Sequence, residues 1–340
     1  MNLPTHHISS PADLLALVPT VLGFHPEDSL VLIVTDGQLG AMHARVDLPC
    51  DDDEAMAEVV ETLLGATTRA SARQVALVAY SDDELVAEDL VDKLSDELRG
   101  RAIEVVCAVR ADGERWFSLD PDTVCCPEEG VPYDLASHPI TAQSVLEGRV
   151  TYARRSELAE SLIGTDFDAT EAVTGAADEA VRRLRAASVN PLGVDSQKGA
   201  RAHLLAEACW VRERVRRYVR SGEPLEDIEV GRLVVAVVNV EVRDVAWAEM
   251  TRADAPRHVE LWRDVVRRTP HDLVPAPAAL LAFAAWLAGD GALAWCAVER
   301  CQEVEPDYSM AGLVSQALAA AMHPSVWQRI PPEDLPLFAG

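Results

Sequence analysis

Gln74-Val75-Ala76-Leu77-Val78-Ala79-Tyr80 is an unbroken apolar run, Asp83 to Arg99 repeats its apolar residues at helical spacing, and Ile103 to Val109 is a second strand of the buried type. Strand, helix, strand in that order predicts a crossover unit with parallel strands and a helix packed on the sheet face. Working outward, Asp51-Asp52-Asp53-Glu54 places negative charge at the start of a helix running to about Thr68, the favourable sign at a helix N-terminus. Before it, Ser29 to Thr35 and Ala41 to Leu48 flank the turn residues Asp36-Gly37 and read as a β-hairpin. Ser10-Pro11-Ala12-Asp13 opens a first helix with a capping hydroxyl and Pro at the first helical position; Leu14, Leu15, Val18 and Leu22 form its apolar face, and Gly23 stops it. Glu114 to Leu119 adds a strand antiparallel to its neighbour.

Residues 120–150 are irregular, with Pro121, Pro127, Pro132 and Pro139, and mark the domain boundary. Beyond them the pattern is helical. Leu204, Ala208, Val211, Val215 and Tyr218 make a clean apolar stripe. The Val-rich segment 230–242 also fits the helical period, with Val230, Leu233, Val234, Val237 and Val238 on one side. Ala278 to Asp307 reads as two helices broken at Gly289-Asp290-Gly291, similar to one tetratricopeptide-type hairpin; an ordinary antiparallel helix pair fits as well, since arrays need about three repeats. The expected fold is α/β: a layered domain over residues 1–134 with a mixed, largely parallel sheet and an initial β-hairpin, a connector over 135–165, and an all-α domain over 166–330 with a tetratricopeptide-like hairpin.

At 340 residues and 49% hydrophobic, the chain has the length and composition of about two folded domains. No apolar run reaches membrane-spanning length, and Met1-Asn2-Leu3-Pro4-Thr5-His6-His7 lacks a signal-peptide pattern, so a cytoplasmic setting without a membrane partner is expected. The seven cysteines follow no framework spacing and read as small buried hydrophobes. A net charge of -26 opposes nucleic-acid binding, which needs cations to displace phosphate counterions. The charge is uneven. Residues 1–134 hold 27 acidic against 8 basic groups, whereas 182–220 hold 10 basic against 3 acidic. That band is either a salt-bridged helix face or a docking site; Arg212, Arg214, Arg216, Arg217 and Arg220 are its candidate basic patch.

Ser10-Pro11-Ala12-Asp13-Leu14-Leu15, Gly23-Phe24-His25-Pro26-Glu27-Asp28-Ser29-Leu30-Val31, Arg45-Val46-Asp47-Leu48-Pro49, Arg115-Trp116-Phe117-Ser118, Cys125-Cys126-Pro127-Glu128-Glu129-Gly130, Gly148-Arg149 with Arg155, and Trp286-Leu287-Ala288-Gly289-Asp290-Gly291-Ala292 together resemble an actinobacterial family of unknown function. The resemblance spans nearly the whole chain. It implies the domain boundaries and a high-GC bacterial, cytoplasmic setting, and brings no activity or cofactor with it. The family pattern often carries a further Cys before the Cys-Cys pair; here that neighbourhood reads Leu119-Asp120, which counts against a metal site.

His25, Glu27, Asp28 and Ser29 lie at a helix-to-strand junction, where side chains can face a cleft at a sheet end. A histidine beside carboxylates and a hydroxyl suits acid-base work or ligand binding, but the strand-turn-helix elbow of hydrolases is absent, and a rigid structural turn accounts for the same residues. Arg45, Arg110, Arg115, Arg149 and Arg155 are the cations expected near that cleft for a carboxylate or phosphate. Cys125, Cys126 and His138 lack zinc-knuckle spacing, and Gly193 to Gly199 with Lys198 lacks the order of a phosphate loop. No catalytic or metal-ligating set is therefore assigned. The expected function is that of a non-catalytic regulatory or scaffold protein with a protein partner, the alternative an enzyme or sensor taking a small anionic ligand near His25. The cofactor, partner identity and oligomeric state stay open.

Overall fold

The computed structural model describes residues 8–36, 42–49, 52–120, 126–188 and 196–338. The hairpin turn beyond Asp36, Cys125 and the Gly193 end of the glycine-lysine segment lie outside the described residues. The chain divides into two compact units, residues 2–157 with 319–323, and residues 158–318 with 324–340.

In the first unit, α1 (Pro11–Leu22) begins with a reciprocal cap: the Ser10 hydroxyl accepts from the Asp13 amide and the Asp13 carboxylate accepts from the Ser10 amide. Gly23, at φ 76°, supplies the left-handed residue that ends it. The chain continues through β1 (Ser29–Val34), β2 (Met42–Asp47), α2 (Asp53–Ala70), β3 (Gln74–Tyr80), α3 (Glu84–Gly100), β4 (Glu104–Ala111), β5 (Arg115–Ser118), β6 (Val131–Pro132) and α4 (Pro139–Leu146). The six strands form one sheet in the order β2-β1-β3-β4-β5-β6.

The expectation of a largely parallel sheet is corrected here. The predicted crossover does pair β3 with β4 in parallel, but β1 runs antiparallel to both β2 and β3, and β4-β5 and β5-β6 are antiparallel as well. The reason is an inserted strand. Helix α2 connects β2 to β3, which run the same way, yet β1 lies between them and opposes each. The α2 crossover spans β1, and only the α3 crossover joins neighbouring strands, so the sheet has a single parallel pair.

Alternation along the strands separates two faces. Leu30, Leu32, Val75 and Leu77 join Leu63 of α2 and Leu90 and Leu94 of α3 in the main core. Their neighbours Val31, Ile33, Ala76 and Val109 face the other way, toward α1.

Chain order in the rest of the molecule is α5 (Arg155–Glu160), α6 (Phe167–Ser188), α7 (Ser196–Ser221), α8 (Asp227–Ala236), α9 (Val240–Ala248), α10 (Ala255–Arg268), α11 (Pro275–Ala288), α12 (Gly291–Gln302) and α13 (Ser309–Ala319). The stripe expected on α7 is buried at Ala208, Val211, Val215 and Tyr218. The Val-rich segment is helical but split, because the Asn239 side chain accepts the amides of Glu241 and Val242 and so starts α9 afresh. Helices α11 and α12 meet at Gly289, left-handed at φ 86°, and Asp290 caps the second. Among the described residues no helix is long and apolar enough to cross a membrane.

Candidate functional site

The Phe24-to-Ser29 segment is a turn whose backbone does most of the bonding. Phe24 is buried and bridges Tyr152; the Tyr152 amide donates to the Gly23 carbonyl at 2.8 Å and the His25 amide donates to the Tyr152 carbonyl at 3.0 Å. Asp28 adopts φ 40° and its carbonyl accepts from Leu48 at 2.8 Å, fixing where β1 begins relative to β2. The buried Ser29 hydroxyl donates to the Glu27 carbonyl at 2.9 Å. Glu27 pairs with Arg154 at 3.4 Å on the surface. His25 is exposed, and partial desolvation by the surrounding protein lowers its pKa.

A concave feature of this unit lies between α1 and the sheet face it covers. It is a cleft of about 1050 Å³ roofed by α1 and floored by Val31, Ile33, Ala76 and Val109. Polar groups stand around this apolar floor: His43 from β2, Cys107 from β4, Ser118 from β5, then Asp120 and Arg149. His43 lies opposite Ile33 in the β1-β2 ladder. Desolvation pushes its pKa down to about 4, so near neutral pH the ring is uncharged, with one nitrogen donating and one accepting. Arg149 is steadied by Glu147 at 3.3 Å, and its amide donates to the Ser144 carbonyl at 3.0 Å.

The five candidate arginines do not gather at one place. Arg45 shares the α1 face of β2 with His43; it pairs with Asp47 at 2.6 Å and its guanidinium lies 5.8 Å from the Phe24 ring centre. Arg149 lines the cleft. Arg110 is in register with Ala79 and Phe117, on the α2-α3 side of the sheet, stacked 4.1 Å over the Phe117 ring and donating to the Ser81 carbonyl at 3.2 Å. Arg115 clamps the carbonyls of Glu129 and Gly130, each at 2.9 Å. Arg155 opens α5.

Cys126 contacts the carbonyls of Trp116 and Pro127 through its thiol. His138 caps α4, its Nδ1 accepting from Ile140 while Nε2 lies 3.3 Å from Asp13. Hydrogen bonds from the Ser9 and Ser10 backbone and hydroxyls hold that Asp13 carboxyl at about 2, led by the Ser9 amide. Among the described residues no group of three His, Cys, Asp or Glu is arranged to hold a metal ion.

In the second unit the α7 basic band meets its counter-charges in cis. Arg212 and Arg216 converge on the Glu249 carboxylate at 2.8 Å, Arg214 and Arg217 on Glu229 at 2.9 and 2.6 Å, and Arg220 approaches Glu213 at 3.7 Å. Glu249 and Glu229 are both held below the ordinary glutamate range; burial opposes this, and hydrogen bonds from the arginines overcome it.

Sequence reasoning missed His43, Cys107, Ser118 and Asp120. A signal was present for the first: in Met42-His43-Ala44-Arg45-Val46-Asp47 every second residue is polar, which marks one strand face. An α/β unit with an apolar, polar-rimmed cleft beside its first helix, followed in sequence by a helical unit, is the class these observations define. The chain belongs to the family described as Domain of unknown function (DUF4192), which matches residues 11–325. No curated protein and no solved structure matches it.

Proposed function

We propose that this is a non-catalytic regulatory protein whose α/β unit binds a small, mainly apolar molecule carrying an anionic end. The observation that carries the reading is the cleft between α1 and the sheet, with its floor of Val31, Ile33, Ala76 and Val109 and the Arg149 guanidinium at its edge. Pockets that hold small molecules combine apolar walls with few polar groups in this way. A neutral His43 beside the apolar floor serves as a hydrogen-bond partner without adding a charge to desolvate. Of the expected cationic set, Arg149 at the cleft edge favours a carboxylate; Arg45, on the same sheet face, is paired with Asp47, and His25, Glu27, Asp28 and Ser29 shape the turn that precedes β1. The helical unit, with its tetratricopeptide-like α11-α12 hairpin, serves protein recognition in this scheme.

Calorimetric titration with decanoate, decanol and decylamine tests the ligand class. Decanoate is expected to bind best, and Arg149→Gln to weaken it about ten-fold, the loss of one charge-assisted contact. Val106→Trp, at an exposed position on the cleft wall, is expected to block all binding. Equal affinity for the three compounds, or none for any, contradicts the proposal.

A further inference from the structure

Residues 324–338 run without regular secondary structure beyond single turns, and they are seated on the helical unit chiefly by side-chain anchors. Trp327 lies flat on Trp247, 5.4 Å between ring centres with planes 17° apart, and edge-on to Phe283 at 4.7 Å. Its indole N–H donates to the Met250 carbonyl at 3.2 Å. Two residues on, Arg329 donates through Nε to the Ala248 carbonyl at 3.2 Å and through Nη2 to Glu249 at 3.0 Å. Leu335 and Leu337 are buried, and Arg201 donates to the Pro336 carbonyl between them at 3.0 Å. An aromatic slot, a carboxylate for a guanidinium, an apolar seat for two leucines and a side-chain clamp on the backbone are the parts with which a helical surface holds an extended peptide.

The seat does not depend on its occupant for charge balance. Glu249 keeps Arg212 and Arg216 when Arg329 leaves, so withdrawal of the segment strands no buried carboxylate. The carbonyls of Ala248 and Met250 stand at the C-terminal end of α9, among those a helix end leaves without an intrahelical donor. By contrast Arg329, Trp327 and the two leucines lose their partners, which gives the segment specificity for this groove.

We infer that the groove beside Trp247, Phe283 and Glu249 is a recognition site for an extended partner segment bearing a tryptophan, an arginine two residues later and a Leu-x-Leu pair, and that residues 324–338 are its tethered occupant. The inference is independent of the α1 cleft. A tethered segment acts at an effective concentration on the order of millimolar, so a partner in trans must bind well to exchange with it.

The probe is a synthetic peptide of residues 324–338, used with the full chain. In isotope-labelled wild-type protein, saturating unlabelled peptide is expected to shift the Trp327 indole Nε1–H resonance, whose partner is the Met250 carbonyl, toward its solvent-exposed position while α9 and α11 amides stay protected. An unmoved Trp327 indole resonance overturns the inference. By fluorescence anisotropy, a full-length Trp327→Ala/Arg329→Ala variant whose circular dichroism matches wild type is expected to take up labelled peptide about ten-fold more tightly than wild type. Adding Glu249→Gln to it, or using an R329Q peptide, is expected to remove about ten-fold in affinity, the loss of a charge-assisted pair. Equal binding of both peptides, or dimers that exchange tails between copies without capturing peptide, overturns it.

Discussion

Ser29 and His25 stand four residues apart in one turn, yet their side chains have different work. The Ser29 hydroxyl is buried and its partner is the Glu27 carbonyl, so Ser29→Ala is expected to cost about 1 kcal/mol in urea denaturation. His25 is tied in through its amide while its ring faces solvent, so His25→Ala is expected to change stability by less than about 0.5 kcal/mol. His43 carries a pH dependence. Its folded pKa, about 4, lies below the ordinary 6.5, so between those values the unfolded chain binds more protons. Its stabilising contribution is complete above about pH 6.5 and is lost as pH falls through 4, by roughly 3 kcal/mol in all. His258, also depressed to about 4 by burial, adds a parallel dependence, so the test is the difference between wild type and His43→Gln in denaturant melts at pH 7 and 5. A flat difference contradicts the desolvation of this ring. The Phe24-to-Ser29 signature was plain in the sequence, but that its polar atoms serve the backbone was not: hydrogen bonds to Tyr152 and Leu48 join positions distant along the chain.

At the scale of elements, local chemistry was the most legible. Ser10 and Gly23 mark the ends of α1, the apolar run Gln74 to Tyr80 is β3, and the α7 stripe is buried. Strand direction was less so, because a helix between two strands makes them parallel without showing whether a third strand lies between them, as β1 does. The placement of the arginines failed for a related reason: Arg110 and Arg45 fall on opposite sheet faces, and only the register assigns them. In the helical unit, a β-carbon on Gly231 would lie 2.5 Å from the Ala176 β-carbon and 2.8 Å from the Val173 carbonyl oxygen. Gly231→Ala therefore has to push α8 away from α6, and a loss of about 1 to 3 kcal/mol in thermal or urea unfolding is expected despite the better helix propensity of alanine.

For the whole molecule, charge drew attention to the wrong half of the problem. The net charge of -26 and the basic band at 182–220 both stood out in the sequence, yet the α7 arginines meet Glu229 and Glu249, glutamates contributed by segments well downstream. The cleft was invisible because it is an arrangement of ordinary valines, isoleucine and alanine, distinguished only by α1 covering one sheet face while α2 and α3 fill the other. The central claim is that this α1-side face receives an apolar, anionic molecule. Methyl-resolved NMR during titration with decanoate tests it most directly: the Val31, Ile33 and Val109 methyls are expected to shift together and saturate, while Leu63 and Leu90 on the opposite face stay in place. Shifts centred on Leu63 and Leu90, or no saturable shift at Val31, Ile33 and Val109, would contradict the account.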